Sequence, residues 1–238
     1  MKMLMTGGSG LLGSEIAKLD RSIIAPSHEE LDITDPVTIE NTLKKYEPQV
    51  VLHLAAATKP PEHEKNPGLG IKVNIIGTAN LALTCQKMGI RMAYTSTDYV
   101  YVGKGPHKET EAVLPPYAFG WSKLGGECAV LMIPDSLVMR LSFGPVPFPW
   151  EKVYEDQYNS KLYVDEIAPL VLSAARSSAT GIMNIGGPRT TLEAYARRTK
   201  SALGTIPRPQ WVPGDTSLDI SRMKKELGIA DERGLLKR

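Results

Sequence analysis

The feature that most constrains the fold of this 238-residue chain is a glycine-rich turn near its start. The turn reads Thr6-Gly7-Gly8-Ser9-Gly10-Leu11-Leu12-Gly13 and follows a short apolar run. Gly8, Gly10 and Gly13 fit the GxGxxG pattern, and Gly7, Gly10 and Gly13 fit GxxGxxG. Such a turn lets backbone N–H groups approach a pyrophosphate at a helix N-terminus, where the helix dipole favours negative charge. The sequence therefore predicts a strand, turn and helix that bind a dinucleotide.

The first 145 residues repeat this alternation of strand and helix. Short apolar runs predict strands at residues 2–6, 22–25, 49–54, 90–95 and 136–141. Helical spacing of apolar residues predicts helices that begin at residues 11, 36, 70 and 116. The second helix has Asp35 as its N-cap and Pro36 at its first position. Strands that alternate with helices favour a parallel sheet covered on both faces, with its ligand at the carboxyl ends of the strands. We therefore predict an α/β fold with a Rossmann-like, doubly wound parallel sheet.

Three prolines, Pro145, Pro147 and Pro149, interrupt this pattern. Clusters of proline mark loops and boundaries. We predict a dinucleotide-binding portion at 1–145 and a smaller, substrate-binding C-terminal portion at 146–238, interleaved with it in one structural unit. Within the C-terminal portion the pattern predicts helices at 164–175, 191–203 and 218–227, and a strand at 182–185.

The composition excludes several classes of protein. Lys and Arg number 28 and Asp and Glu 26, and no basic tract suggests a nucleic-acid or membrane-surface partner. No apolar stretch approaches the ~20 residues that span a bilayer. Cys85 and Cys128 lack metal-ligand spacing and are too few for a disulfide framework, so we predict helix-packing cysteines and a reducing cytoplasm.

The end of the second predicted strand bears on the choice between NADP and NAD. An acidic residue that binds the adenosine ribose is usual there, but the chain reads Ala25-Pro26-Ser27-His28. Since no carboxylate is present to repel a 2′-phosphate, NADP is favoured over NAD. Ser27 and His28 are either phosphate partners or ordinary loop residues. Asp32 either caps the following segment or accepts a hydrogen bond from the adenine amino group.

Five further motifs accompany the glycine turn. They are Leu31-Asp32-Ile33-Thr34-Asp35, Val51-Leu52-His53-Leu54-Ala55-Ala56-Ala57, Val73-Asn74-Ile75-Ile76-Gly77-Thr78, Ser96-Thr97-Asp98-Tyr99-Val100-Tyr101 and Ser122-Lys123-Leu124-Gly125-Gly126-Glu127. With these motifs the chain resembles the extended short-chain dehydrogenase/reductases, and within them the dTDP-4-dehydrorhamnose reductase group. The resemblance is strong over residues 1–145 and loose beyond.

The resemblance implies an NAD(P) cofactor and its contacts. In the family pattern Lys123 holds the nicotinamide ribose, and Asn74 braces the site. The full set of expected cofactor residues is Gly7, Gly8, Ser9, Gly10, Leu11, Leu12, Gly13, Ser27, His28, Asp32, Ile33, Ala55, Ala56, Ala57, Asn74, Thr95, Lys123, Leu141 and Phe143.

The resemblance also implies a catalytic group, in which Thr97 orients a substrate carbonyl and Lys123 lowers the pKa of a tyrosine. That tyrosine is expected at position 119, where this chain has Phe119. Positions 119 and 123 are ~400° apart on a helix and share one face. Tyr117 is ~600° from Lys123, so a regular helix turns it away. Phe119 has three interpretations: an engineered substitution that traps substrate, a natural variant with another proton donor or water, or a non-catalytic protein.

The expected substrate, also implied by the resemblance, is a nucleotide-linked 4-keto-6-deoxy sugar reduced at C4. Candidate substrate contacts are Thr97, Asp98, Tyr99, Arg140, Trp150, Tyr158 and Arg189. Arginine is included because its guanidinium binds a diphosphate in bidentate fashion. The alternatives are a sugar-nucleotide epimerase or dehydratase with the same site, and a dinucleotide-binding regulatory subunit like that of methionine adenosyltransferase. The oligomeric state is left open, with a homodimer as one alternative.

Overall fold

The fold is described from a computed structural model over residues 1–210 and 212–236. In chain order the strands are β1 (Met3–Thr6), β2 (Val50–His53), β3 (Arg91–Thr95), β4 (Leu137–Leu141), β5 (Phe143–Gly144), β6 (Lys152–Tyr154), β7 (Tyr158–Asn159), β8 (Leu162–Tyr163), β9 (Gly181–Ile185), β10 (Thr190–Thr191) and β11 (Gly204–Ile206). The α-helices are α1 (Leu11–Leu19), α2 (Pro36–Tyr46), α3 (Pro60–Lys65), α4 (Pro67–Gly70), α5 (Thr78–Met88), α6 (Ala118–Leu131), α7 (Val164–Arg176), α8 (Leu192–Arg197) and α9 (Ser221–Glu226). A π-helical segment, Ile71–Gly77, joins α4 to α5, and short 3-10 turns lie at Asp98–Val100 and Glu232–Leu235.

Five parallel strands form the central sheet in the order β1-β2-β3-β4-β9. After β1 the chain runs through α1 to Ile24, which bridges to one side of β1. It then runs through α2 to β2, which pairs with the other side of β1. This reversal opens a crevice at the carboxyl ends of β1 and β2, where doubly wound sheets bind their ligands. The predicted α/β, Rossmann-like fold is confirmed.

The second predicted strand, 22–25, is reduced to a single bridge. Met5 N–H donates to the Ile24 carbonyl at 2.7 Å, and Ile24 N–H donates to the Met3 carbonyl at 3.0 Å. Pro26 follows two residues later and has no N–H with which to continue the ladder. The prediction of a full strand is therefore wrong, although the segment does lie at this edge of the sheet.

Helices cover both faces of the sheet. Ile16 of α1, Val171 of α7 and Met223 of α9 are buried in one core cluster. Ile39 of α2, Leu81 of α5 and Val130 of α6 are buried in a second cluster. The N-terminus of α2 is capped as predicted, because Asp35 Oδ1 accepts from Val37 N–H at 2.9 Å.

The helical stretch Pro67–Met88 begins three residues before residue 70, where the sequence predicts the start of this helix. By length and mean hydropathy it would pass as a membrane span, which corrects the prediction that no stretch reaches that length. Its Leu81 and Cys85 are fully buried beneath the sheet, and the core helices of globular proteins often have this composition. Cys85 therefore packs as predicted, whereas Cys128 on α6 is exposed and does not.

Residues beyond 145 contribute to both the sheet and the crevice. Strand β9 completes the central sheet, and α7 and α9 cover it. The short pairs β5–β8, β7–β10 and β6–β11 lie apart from the sheet. Two predicted helices, 191–203 and 218–227, are shortened to Leu192–Arg197 and Ser221–Glu226.

Candidate active site

A groove of about 1030 Å³ lies at the carboxyl ends of the central strands. Its walls are the glycine turn, the segments that follow β2, β3 and β4, one face of α6, and Trp150 and Lys161 from the C-terminal portion. The volume of the groove is at the upper end of the range for small-molecule and cofactor sites. The groove therefore has room for an extended ligand that contacts several of these elements at once.

The glycine turn is shaped by close backbone contacts. Gly7 has a φ of 71°, and a Cβ there would lie 2.7 Å from Ala55 N. A Cβ on Gly13 would lie 2.3 Å from the Gly7 carbonyl oxygen. A Cβ on Gly10, by contrast, has only the Gly7 oxygen nearby, at 3.2 Å, and otherwise faces open space. Gly10 caps α1 without any side chain over the helix N-terminus. The first turn of α1 is therefore open to an anion in the groove.

At the far end of the groove lie Asp32 and His28. Asp32 Oδ1 accepts from Thr34 N–H at 2.8 Å and from Thr34 Oγ1 at 2.9 Å. These bonds, the backbone one first, hold the pKa of Asp32 below its usual value. Asp32 thus caps the following segment, the first of its two predicted roles. His28 lines the groove, whereas Ser27 does not, because its Oγ accepts from Glu30 N–H at 3.2 Å.

Ala57 and Asn74 support the groove from behind. Ala57 N–H donates to Asn74 Oδ1 at 2.8 Å, and Asn74 Nδ2 donates to the Ala57 carbonyl at 2.9 Å. Asn74 Nδ2 also lies 2.9 Å from Ser122 Oγ on α6. Of the three predicted alanines, only Ala55 and Ala56 line the groove. Asn74 thus links the segment after β2 to α6, and neither Asn74 nor Ala57 lines the groove.

The remaining expected cofactor residues line the groove. They are Gly7, Gly8, Ser9, Gly10, Leu11, Leu12, Gly13, Ile33, Thr95, Lys123, Leu141 and Phe143.

Thr97, Phe119 and Lys123 all line the groove. Thr97 follows β3, and its Oγ1 accepts from Tyr99 N–H at 3.2 Å. Lys123 is 4% exposed, and its Nζ lies 4.2 Å from the centroid of the Tyr94 ring. Burial lowers the pKa of Lys123 to about 7, against the attraction of Glu127. Within residues 1–210 and 212–236, no carboxylate oxygen lies within 4.0 Å of the Lys123 ammonium, because Glu127 pairs with Arg140. Below about pH 7, Lys123 is thus a cation available to a ligand.

Phe119 lies one helical turn before Lys123 and faces the same groove, as the helix geometry predicts. Its ring packs edge-to-face against His63 and Tyr99, with centroid separations of 5.4 and 6.5 Å. The ring therefore contributes an aromatic side chain to the groove wall and presents no hydroxyl there.

Tyr117 lies outside the groove that Lys123 lines, but for a reason other than the predicted helical angle. It lies outside the helix, as the N-cap of α6, with φ −154° and ψ 169°. The helical angle to Lys123 therefore does not apply. Its ring contacts Tyr99 at a centroid distance of 5.5 Å, and it is not part of the groove wall. Burial raises the pKa of Tyr117, which makes it a weaker acid.

Two of the expected substrate residues, Arg140 and Arg189, are structural instead. Arg140 is buried, and its Nη2 lies 2.7 Å from Glu127 Oε2. Arg189 pairs with Asp215 at 2.9 Å, with its guanidinium 3.8 Å from the Tyr158 ring centroid. Neither arginine lines the groove. Of the expected substrate residues, those that do line it are Thr97, Asp98, Tyr99 and Trp150.

Replacing Arg140 by Met is expected to lower the free energy of unfolding by about 3 kcal/mol or more, because it leaves the buried Glu127 carboxylate without its partner. Denaturant unfolding monitored by circular dichroism measures the loss. The double variant Glu127→Leu/Arg140→Met is the control and should recover most of the stability. A stability loss in Arg140→Met below ~1 kcal/mol would contradict a structural role.

Sequence reasoning did not identify Lys161, which lines both the groove and an adjoining cavity. It also missed Ser142, next to Leu141 in the groove wall. Lys161 belongs to no motif in the chain, and it reaches the groove only because β8 pairs with β5. No local signal could have placed it there.

The chain matches the family model described as RmlD substrate binding domain over residues 1–144. It is 30% identical to a dTDP-4-dehydrorhamnose reductase of Streptomyces griseus, over 94% of this chain and 87% of that protein. The crystal structure of a dTDP-4-dehydrorhamnose reductase from Clostridium acetobutylicum superposes with a TM-score of 0.87 at 25% identity, over 100% of this chain and 97% of that one. A Bacillus anthracis dTDP-4-dehydrorhamnose reductase in complex with NADP shares the fold, with a TM-score of 0.86 at 23% identity over 98% and 96% of the two chains.

Proposed function

Because the chain belongs to the RmlD substrate binding domain family of extended short-chain dehydrogenase/reductases, we propose that it is an NADP-dependent reductase of a nucleotide-linked 4-keto-6-deoxy sugar. One observation carries the proposal: a single groove joins the open glycine turn to Thr97 and the Lys123 ammonium, which no carboxylate of the described residues neutralises. The relatives named as dTDP-4-dehydrorhamnose reductases support the reaction class, and the neighbour in complex with NADP supports the cofactor.

The residues present fit a dinucleotide. The open side of Gly10 and the first turn of α1 suit its pyrophosphate. At one end of the groove, His28 and the absence of an acid at residues 25–28 suit an adenosine 2′-phosphate, so we propose NADP rather than NAD. At the other end Lys123 would donate hydrogen bonds to the nicotinamide ribose. Leu141 and Phe143 give this end an apolar wall.

When bound, the cofactor supplies a hydride to the carbonyl carbon of the substrate. Thr97 would hold the carbonyl oxygen by a hydrogen bond from Oγ1, which would replace the 3.3 Å bond that this hydroxyl donates to Asp98 Oδ1. The Tyr99 N–H fixes the position of Oγ1. The oxygen must gain a proton as the hydride arrives, and a phenol beside a lysine ammonium is a suitable donor. Phe119 lacks that hydroxyl, so we propose that this chain binds its ligands well and reduces the substrate slowly.

We propose that residues 146–238 supply most of the substrate contacts. Trp150 lines the groove and also an adjoining cavity of about 520 Å³. The wall of that cavity includes Phe148, Tyr154 and Leu192. Tyr99 lines both spaces too. Aromatic rings of this kind bind sugar and base rings through their faces.

The proposed function is tested by following NADPH oxidation by the purified chain with a panel of 4-keto-6-deoxy sugar nucleotides. Slow, substrate-dependent oxidation is expected, with NADPH preferred over NADH. An epimerase would leave external NADPH unconsumed, and a regulatory subunit would bind NADPH without turnover. If no member of the panel is reduced by either this chain or its Phe119→Tyr form, the reductase proposal fails.

Replacing Gly10 by Val is expected to weaken NADPH binding by about 10²-fold or more, because the new side chain would occupy the space proposed for the pyrophosphate. Fluorescence titration measures the affinity. The melting temperature should change little, since a Cβ at residue 10 meets no severe contact. Gly13→Val is the contrast, because its Cβ overlaps the Gly7 carbonyl and the variant should lose stability. Unchanged NADPH affinity in Gly10→Val would refute this placement of the pyrophosphate.

A further inference from the structure

Lys161 lies where the groove meets the adjoining cavity, and it lines both. Its backbone is held on two sides. Lys161 N–H donates to Asn159 Oδ1 at 3.0 Å, and the next residue, Leu162, donates to the Ser142 carbonyl at 3.3 Å. Because Ser142 follows β4 and itself lines the groove, the backbone at Lys161 is anchored to the groove wall next to the end of β4.

The carboxylate that faces Lys161 is Asp98, the residue next to Thr97. Asp98 is 3% exposed and bonds through Oδ2 to Thr216 Oγ1 at 2.7 Å and through Oδ1 to Thr97 Oγ1 at 3.3 Å. Burial lowers the pKa of Lys161, and the charge of Asp98 opposes that effect. In the described part of the chain, no carboxylate oxygen comes within 4.0 Å of the Lys161 ammonium. Asp98 therefore stabilises this ammonium electrostatically without pairing with it in a direct ion pair.

Three other candidate acids near Thr97 are less suitable. Burial raises the pKa of Asp98, but its two carboxyl oxygens accept from Thr216 Oγ1 at 2.7 Å and from Thr97 Oγ1 at 3.3 Å. The Tyr99 hydroxyl bonds to Tyr117, and burial raises its pKa. Lys123 is committed to the cofactor ribose in the proposed function. An ammonium that burial has made more acidic is an effective general acid near neutral pH. Among residues 1–210 and 212–236 of the groove wall, Lys123 and Lys161 both meet this description, and Lys161 is the one not assigned to the cofactor.

We propose that the Lys161 ammonium donates the proton that Phe119 cannot. This inference rests on the proposed function. As the hydride reaches the carbonyl carbon, the π electron pair of the carbonyl moves to the oxygen, which forms an O–H bond with a proton from Lys161 Nζ. The products are the alcohol, the oxidised cofactor and a neutral lysine amine. Solvent in the adjoining cavity then returns a proton to the amine.

The test uses Lys161→Met and Lys161→Arg, each made in two backgrounds. One background is the unaltered chain with Phe119, and the other is the Phe119→Tyr protein. In the chain as it stands, both Lys161 variants should lower kcat by about 10-fold or more with little change in KM. Arginine is expected to fail because it keeps the charge but does not release its proton at neutral pH. In the Phe119→Tyr background, the same variants should change kcat by less than about threefold, because the tyrosine supplies the proton. Lys104→Met, an exposed lysine outside both cavities, controls for net charge.

NADPH affinity, measured by fluorescence titration, is a second readout and should be unchanged in Lys161→Met. A matching loss of affinity would overturn the proposal, as would full activity in Lys161→Arg, which would make Lys161 an anion-binding residue. If Phe119→Tyr is active and the unaltered chain is inactive, the proposed function stands and Lys161 is not a donor. If neither form reduces any sugar, the proposed function itself fails, and this inference with it.

Discussion

Phe119→Tyr is expected to raise kcat/KM for the 4-keto sugar by about 10²-fold, with an upper limit near 10⁴-fold. Such a gain corresponds to roughly 3 to 5 kcal/mol of transition-state stabilisation. The physical reason is the position of residue 119, which faces the groove one turn from the buried Lys123 ammonium. A hydroxyl there would gain acidity from that cation. Steady-state rates of NADPH oxidation measure the change.

The matched control is Tyr117→Phe, which removes a phenol outside the groove and should leave the rate within about threefold. NADPH affinity should also stay the same in Phe119→Tyr, because the added oxygen acts on the substrate carbonyl. If Phe119→Tyr is no more active than the unaltered chain, the missing hydroxyl does not limit the reaction, and the role proposed for position 119 is wrong.

Lys123→Met is expected to change activity and stability in opposite directions. In the Phe119→Tyr protein it should lower kcat/KM by about 10²-fold or more, because the tyrosine loses the cation that acidifies it.

Without bound ligands, the Lys123→Met protein should be more stable than the unaltered chain, because burying an ammonium costs free energy. The lowering of its pKa from 10.5 to about 7 corresponds to roughly 5 kcal/mol at low pH. Because this figure covers all interactions of the charged form, the cation–π contact with Tyr94 among them, a net gain of several kcal/mol at low pH is expected.

The gain in stability should depend on pH in a defined direction. Burial depresses the folded-state pKa of Lys123, so between about pH 7 and 10.5 the unfolded chain binds the extra proton. The lysine therefore destabilises the fold fully below about pH 7, and this penalty declines as pH rises toward 10.5. Denaturant unfolding at about pH 6 and about pH 9 should show a larger advantage of Lys123→Met at the lower pH. Equal advantages at both pH values, or a loss of stability at about pH 6, would show that Lys123 is not held as an uncompensated buried cation.

Much of the site could be predicted because it consists of local motifs at the ends of predicted strands and helices. The glycine turn stands between β1 and α1, and Thr97 follows β3. Phe119 and Lys123 share a face because helix geometry fixes a four-residue spacing. Each of these placements requires only two things: the number of residues per turn of a helix or per repeat of a strand, and the rule that the carboxyl ends of parallel strands lie at one edge of the sheet.

The errors concern residues whose partners are distant in sequence. Arg140 could not be recognised as structural, because its partner Glu127 meets it only after α6 packs on β4. Arg189 is likewise paired with Asp215, from another loop. Tyr117 lies just outside the helix that was assumed to contain it, and helix ends are the least predictable part of a helix. Lys161 reaches the groove through strand pairing alone.

The central claim is that this groove brings a reduced nicotinamide cofactor and a carbonyl substrate together between Thr97 and position 119. Its most direct test uses the Phe119→Tyr protein, NADPH deuterated at C4 and a dTDP-linked 4-keto-6-deoxy sugar, with the product examined by mass spectrometry and NMR. We predict a single deuteron on C4 of the reduced sugar, and a loss of this transfer when Thr97→Val is added. Product without deuterium at C4, or cofactor oxidation without a reduced sugar, would contradict the account.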